Sequence, residues 1–236
     1  MGNVLLLRFD APLVSFGAPT VDQFGVIQPF PALSMLTGLL ANALGWDHRE
    51  FGRLDALQER IQYASRADVL GTRITDYQTA NLAQDFMSEA WTTWGRPVVR
   101  DKRHETAERF RDYWADSVHT VALTLTGGGG PSTPEVADAI RYPARPLFLG
   151  RKCCLPGGPI IVGKATGHLL AALASVPMPK RSGAGWPVPA WWFDGAEGAP
   201  EPNEIVPVTD ERDWRNHVHV GRRMMRHGML KQPAAS

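Results

Sequence analysis

The run Ser117–Thr126, SVHTVALTLT, alternates, is rich in β-branched residues, and stops dead at four consecutive glycines, Gly127–Gly130. That is the signature of a well-formed strand, and it fixes the reading of the chain on either side. Upstream, Val4–Phe9 reads as a buried strand halted by Pro12. Leu33, Leu36, Leu40, Ala43 and Leu44 then recur at helical spacing between Pro31 and Gly45, an N-terminal proline and a C-terminal glycine marking the two ends. A second helical stretch, Leu54–Ile61, leads into a strand over Gln62–Val69. Downstream, Pro134–Ile140 predicts a short helix and Pro146–Leu149 another strand. With residues 72–116 set aside, the order is strand, helix, strand, strand, helix, strand. This α+β order is the split βαβ, or ferredoxin-like, arrangement shared by RNA-recognition modules.

The segment 72–116 is too long for a simple connection, so it carries its own structure or projects from the body. After Gly167 the pattern predicts one helix, Leu169–Val176, a Pro/Gly-rich tract over 177–204, a strand-like run Trp214–Val220, and a basic tail. The domain reading is therefore a main domain over 1–165, with 72–116 as a projecting insertion, and a small C-terminal subdomain over 166–236. Within the tract, Trp191-Trp192-Phe193 reads as a partner surface in preference to a small apolar core.

A formal net charge of +1 argues neither for nor against nucleic acid, so any anion-binding surface must be local. The two cysteines are adjacent, Cys153 and Cys154, and staple nothing, which places the chain in the cytoplasm. The start, MGNVLLLRFD, has too short an apolar run for a leader. Leu6 stands where myristoylation at Gly2 needs Ser or Thr, and no apolar stretch approaches membrane-spanning length.

Local charge is concentrated in residues 96–114, RPVVRDKRHETAERFRDYW, which hold six Lys/Arg, one His and three aromatics against four acids. A solvated helix carries such ion pairs. A single-stranded nucleic acid wants the same mixture, because phosphates take the cations and bases stack on rings. The composition fits both. Other candidates are weaker. Gly127–Gly130 lacks the Lys-Ser/Thr of a phosphate loop and reads as a flexible turn. His217 and His219 would share a face of one strand, but no companion pair stands at metal spacing, so no metal or cofactor is expected. Arg151 and Lys152 flank a potential nucleophile at Cys153-Cys154, without a local catalytic signature.

Five stretches carry a resemblance: LLLRFDAPLVSFG (5–17), PFPALSMLTGLLANALGW (29–46), RADVLGTRITDYQT (66–79), KRHETAERFRDYWADSVHTVALTL (102–125) and PLFLGRKCCLP (146–156). Asp-Tyr-x-Thr, His-Glu-Thr, Arg-x-Tyr and Leu-Gly-Arg-Lys in that order resemble the CasD-type branch of the Cas-five family of CRISPR-associated RAMP proteins, found in type I-E Cascade. The resemblance spans roughly the first 165 residues and fades to Arg212-Asp213-Trp214 in the last quarter. It implies a ferredoxin-like RAMP domain with a thumb inserted between the second and third strands. It implies a subunit that caps the 5′ repeat-derived handle of the CRISPR RNA and touches a CasC-type backbone subunit and a CasA-type large subunit. Target DNA would be met only through the complex.

On that resemblance Arg100, His104 and Arg109 would face the RNA from the thumb. Tyr77 would supply a stacking ring, Gln78 and Thr79 hydrogen-bonding groups, and Arg151 and Lys152 phosphate neutralisation. Ser34 would sit where free N–H groups at a helix start attract phosphate. The chain departs from the family here, with Pro31-Ala32-Leu33-Ser34 in place of Pro-Thr-Lys/Arg-Ser. Either the handle takes a different path or Arg222-Arg223 in the tail compensates. Some relatives cut precursor RNA themselves, and Tyr77, His104 and Lys152 are the residue types that metal-independent cleavage needs. The CasD-type resemblance favours a non-catalytic RNA-binding scaffold over that endoribonuclease.

Overall fold

The computed structural model describes residues 3–20, 22–81, 89–91, 97–99, 106–180 and 185–231. In chain order the elements are β1 (Asn3–Asp10), β2 (Leu13–Val14), β3 (Phe24–Gly25), α1 (Leu33–Ala43), α2 (Phe51–Arg60), β4 (Ile61–Val69) and β5 (Thr72–Asn81). Then come β6 (Glu89–Trp91), β7 (Pro97–Val99), β8 (Thr106–Ala115), β9 (Val118–Leu125), α3 (Thr133–Arg141), β10 (Ile161–Thr166) and α4 (Leu169–Ser175). The last are β11 (Val188–Phe193), β12 (Glu204–Val208), β13 (Glu211–Asp213), β14 (Val218–Val220) and β15 (Arg223–Leu230). The fold is mixed α+β with mostly antiparallel pairing.

A seven-stranded sheet in the order β10-β1-β9-β4-β11-β15-β12 forms the body, with every neighbouring pair antiparallel. Alternation along β1 shows why its apolar run is unbroken. Leu5, Leu7 and Phe9 enter one core with α1, α2 and α3, while Val4 and Leu6 enter a second core with α4. A strand covered on both faces needs apolar residues at both parities. The face that an RNA-recognition module leaves open is therefore closed by α4. Arg66, fully buried, fixes that helix by donating to the carbonyls of Leu173 and Val176 at 2.8 and 2.7 Å, with Asp68 as its counter-ion at 2.6 Å, so the guanidinium caps the orphan carbonyls at the end of α4.

Several sequence expectations are corrected. Pro146–Leu149 is a loop, held by Ser15 N to Leu149 O (3.1 Å) and Leu149 N to Cys154 O (2.7 Å); the strand beside β1 is β10. Trp191-Trp192-Phe193 is no surface patch, because β11 lies inside the sheet with Trp191 5% and Trp192 0% exposed, one in each core. The basic tail is β15, hydrogen-bonded between β11 and β12. Trp214–Val220 is not one strand: Asp213 Oδ1 accepts from Arg215 N and Asn216 N at 3.0 and 2.9 Å and turns the chain. His217 sits in that turn at φ 58°, so it shares no strand face with His219 in β14.

Residues 72–81 and 106–115 form an antiparallel arm, ten residue pairs from Thr72↔Ala115 to Asn81↔Thr106. Where 96–114 is described it is strand, which corrects the solvated-helix reading. At the arm's base β8 also pairs with β2 and β3. Gly71 makes the entry turn with φ 76°, and a Cβ there would stand 2.3 Å from the Ala115 carbonyl oxygen, so only glycine fits. A short β6–β7 ladder lies between the two arm strands in sequence.

Candidate nucleic-acid interface

The two faces of the arm differ. Opposed residues of an antiparallel pair point to the same side, so Tyr77, Phe110 and Phe24 stand in a row across three strands. Their ring centroids are 5.1 Å (Tyr77–Phe110) and 5.3 Å (Phe24–Phe110) apart, with Tyr77 54% and Phe24 48% exposed. The opposite face pairs Gln78 with Arg109 and Asp76 with Arg111. The sequence-predicted residues thus divide, Tyr77 and Thr79 on the ring face, Gln78 and Arg109 on the cationic one. Arg100 and His104 lie outside the described residues. Tyr77 Oη donates to Glu108 at 2.7 Å, and that hydrogen bond holds its proton on more tightly than usual. Near the arm's base Asp112 accepts from Arg73 at 2.5 Å and Thr75 at 2.6 Å. Burial pushes its carboxyl up, but these two bonds and the charges of Arg73 and Arg151 outweigh it, leaving the pKa below the ordinary carboxylate range.

Arg151 ties the arm to the body. Its guanidinium donates to the carbonyls of Asp112 (2.8 Å) and Gly25 (3.0 Å) and lies 4.7 Å from the Tyr113 ring centroid. Gly150, which delivers it, has φ 99°, and a Cβ there would fall 1.8 Å from the Ser15 carbonyl oxygen. That close approach is the physical reason for Leu-Gly-Arg in the motif. Beside it Cys153 is exposed and Cys154 buried, with burial pushing the Cys154 thiol up to about 12. Such a thiol is no nucleophile at neutral pH.

The start of α1 is closed to an external anion at two positions. Ala32 offers no side-chain cap; instead Leu33 N donates to Asp210 Oδ2 at 2.8 Å and Ser34 N to the Asp210 carbonyl at 2.9 Å. Asp210 is in turn gripped by Arg223 through two 2.6 Å contacts, and Arg223 also donates to Tyr63 Oη at 2.7 Å. This corrects the expectation of free N–H groups at Ser34 and takes Arg223 out of any role as a compensating cation. An internal carboxylate does what a phosphate does at a helix N-terminus. The other helix that invited a phosphate reading, α3, is capped by its own Ser132–Glu135 box, and Gly130 packs on Arg60.

Ser34 keeps its hydroxyl, which meets His219 Nε2 at 3.3 Å. Around this pair is a cleft of about 310 Å³ lined by Ser15, Met35, Gly38, Phe148, Arg151, Arg212 and Trp214 among others. Burial, reinforced by the Arg212 charge, depresses the His219 pKa despite the nearby Asp210 carboxylate, so the ring is neutral. The β13–β14 hairpin supplying these groups is held by buried Gln58 of α2. Its amide donates to the Arg212 carbonyl (3.0 Å) and its carbonyl accepts from Arg212 N (3.1 Å) and Trp214 Nε1 (3.3 Å). A second cleft of about 600 Å³ shares Gly38, Phe148 and Trp214 with the first and is lined also by Lys152, Arg145, His48 and Trp46. The structure brings Ser34 and Arg151 to one cleft and Lys152 to the neighbouring one. The sequence reading did not place Arg212, Trp214 or His219 at the RNA site: it marked Arg212 and Trp214 only through the weak match at Arg212-Asp213-Trp214 and weighed His219 only as a metal ligand.

Two neighbouring clefts over α1, each lined by aromatic rings and cations, together with the β5–β8 arm define a candidate binding protein for a flexible polyanion. A family model described as CRISPR-associated protein (Cas_Cas5) matches residues 4–226. The chain belongs to this family, the one to which the sequence motifs pointed. It is 31% identical over 171 residues to the Cascade subunit CasD of Escherichia coli (strain K12), covering 69% of this chain and 71% of that protein. In fold it resembles a chain of a solved CRISPR RNA-guided surveillance complex, with a TM-score of 0.72 at 24% identity over 98% of this chain and 91% of the other. It also resembles a Cas protein crystal structure, with a TM-score of 0.64 at 23% identity over 97% and 95% of the two chains.

Proposed function

We propose that this chain is the RNA-binding Cas-five subunit of a type I-E Cascade, and that it caps the 5′ repeat-derived handle of the CRISPR RNA without cutting it. The observation that carries the reading is the groove over α1, where Ser34 and Arg151, from motifs of the family, meet Arg212 and His219. Single-stranded RNA is recognised by stacking, backbone neutralisation and hydrogen bonds to splayed bases, and the groove has residues for each. The strand order β10-β1-β9-β4 with its intervening helices supports the ferredoxin-like RAMP reading, and the β5–β8 arm supports 72–116 as its thumb. In this reading the exposed ring row Phe24–Phe110–Tyr77 faces the CasC-type backbone subunit, the CasA-type large subunit packs nearby, and the complex works in the cytoplasm.

The endoribonuclease alternative draws no support from Tyr77, whose hydroxyl proton is committed to Glu108, while Lys152 lines the chamber over α1. The test is to incubate the purified chain with repeat-containing RNA in EDTA. The proposal predicts a shifted, intact RNA. Cleavage at one site in the repeat would establish the nuclease instead.

A further inference from the structure

We infer that a cleft at the β12 edge of the seven-stranded sheet is the docking site for a basic, extended segment of a protein partner, which places an arginine or lysine side chain in it. The cleft holds about 510 Å³ and lies where the loop before α1 meets β12, with Pro29, Phe30, Val206 and Pro207 among its walls. Among the described residues no strand of the sheet lies beyond β12, so the cleft opens at an outer edge. Two acceptors mark it. Gln28 lines it, and Gln28 Oε1 is buried with no hydrogen-bond partner among the described residues. Glu204, its side chain 65% exposed, has His227 Nδ1 at 3.9 Å, at the limit of an ion pair. No Lys or Arg lines the cleft. A buried acceptor left unsatisfied is costly, and a cationic N–H entering the cleft satisfies it beside the Glu204 carboxylate.

Charge along the chain identifies the occupant. From Asp194 to Glu211 there are six carboxylates and no Lys, Arg or His. Asp194 and Asp210 are taken up internally by Arg226 and Arg223, each at 2.6 Å. Glu201, exposed, adds its charge three residues before Glu204. The two clefts over α1 have the opposite sign, with Arg151, Arg212, Arg145 and Lys152. A polyanion suited to those clefts is repelled from this edge, so the partner here is positively charged. Apolar walls beside a carboxylate suit a side chain with an apolar stem and a charged tip. A bare metal ion fits less well, because no group of three metal-ligating side chains occurs among the described residues.

The experiment titrates the full chain into fluorescein-labelled peptide libraries of about six residues, one strand's length, and reads anisotropy. Each library has one position fixed as arginine, lysine, leucine or glutamate in a random background. Wild type is compared with Glu204→Lys and Gln28→Leu, with melting temperatures and affinity for a single-stranded RNA recorded alongside. Gln28→Leu deletes an unsatisfied buried acceptor, so its melting temperature stays the same or rises and a folding failure does not confound it. The expected result is roughly tenfold tighter binding of the arginine and lysine libraries than of the glutamate library. That preference reverses in Glu204→Lys and shrinks several-fold in Gln28→Leu, while RNA affinity is unchanged in both. No preference for the basic libraries in wild type, or the same preference in all three proteins, would overturn the docking site. Weaker RNA binding in Gln28→Leu would give the cleft to nucleic acid and overturn it too. Tighter binding of spermine than of the basic libraries would make the cleft a polyamine site and overturn the peptide occupant.

Discussion

The arm and the groove carry similar residue types in opposite settings. On the arm, Arg109 is exposed and, among the described residues, donates only to the carbonyl of its neighbour Glu108, and Tyr77 leans on Phe110 in solvent. In and under the groove, Arg223 and Asp210 are locked together, Gln58 makes three hydrogen bonds, and Arg151 spans two backbone carbonyls. Exposed cations on flexible stems attract a polyanion over a distance set by salt. Preorganised ones shape a seat. Under the proposed function the same composition does two jobs, capture on the arm and placement in the groove, and substitutions in the two regions separate into different observables.

The largest effect belongs to the body beneath the groove. His119 is fully buried against Phe16, ring centroids 4.8 Å apart, and burial lowers its pKa to about 3. The unfolded chain titrates near 6.5, so below that pH it binds a proton the folded chain refuses. Stability from this residue is complete above pH 6.5 and falls as pH drops toward 3, by on the order of 5 kcal/mol in all and about 2 kcal/mol by pH 5. Urea unfolding of wild type and His119→Leu at pH 7 and pH 5 checks this; an equal loss of stability between the two pH values in both proteins would contradict it. Asp210→Ala comes next. It strands Arg223 and the helix N–H of Leu33, and should cost about 3 kcal/mol by chemical denaturation. Gly150→Ala forces a Cβ into Ser15, and a loss of about 2 kcal/mol is expected, together with weaker RNA binding as Arg151 is displaced. A wild-type Gly150→Ala protein would mean the loop moves freely.

On the arm the effects on stability shrink while the effects on binding remain. Tyr77→Ala removes one half-exposed ring contact and should cost about 1 kcal/mol or less. Arg109→Ala should leave the melting temperature alone and reduce the slope of log affinity against log salt by about 1. If Arg109→Ala destabilised the fold as much as Asp210→Ala, the division between capture and placement would fail.

What the sequence made legible follows the same divide. Periodic apolar runs placed β1, α1, α2, β4, β9, α3 and α4 to within a few residues, because each buries a stripe that its own period announces. β10 was missed, its IVGKAT alternating weakly around a glycine. β11 and β15 were missed because Pro, Gly and Arg dominate their surroundings; pairing across the sheet buries them, and no local pattern announces that. Ser34, Arg151 and Lys152 were legible through motifs. His219 meets Ser34 across 185 positions of sequence, a juxtaposition only the fold creates. Asp210 was invisible for the same reason, and it reverses the meaning of the departure at Ala32-Leu33. The helix start lacks the family's hydroxyl and cation, and in this chain the Asp210 carboxylate takes the N–H of Leu33 and the Asp210 backbone carbonyl that of Ser34.

The most direct test of the RNA-handling account is purification of the tagged chain from its native host, followed by sequencing of the RNA that accompanies it. The account predicts short RNAs sharing one repeat-derived 5′ end, recovered with further Cascade-type subunits and lost from an Arg109→Ala, Arg212→Ala double variant. A monomer free of RNA would contradict it.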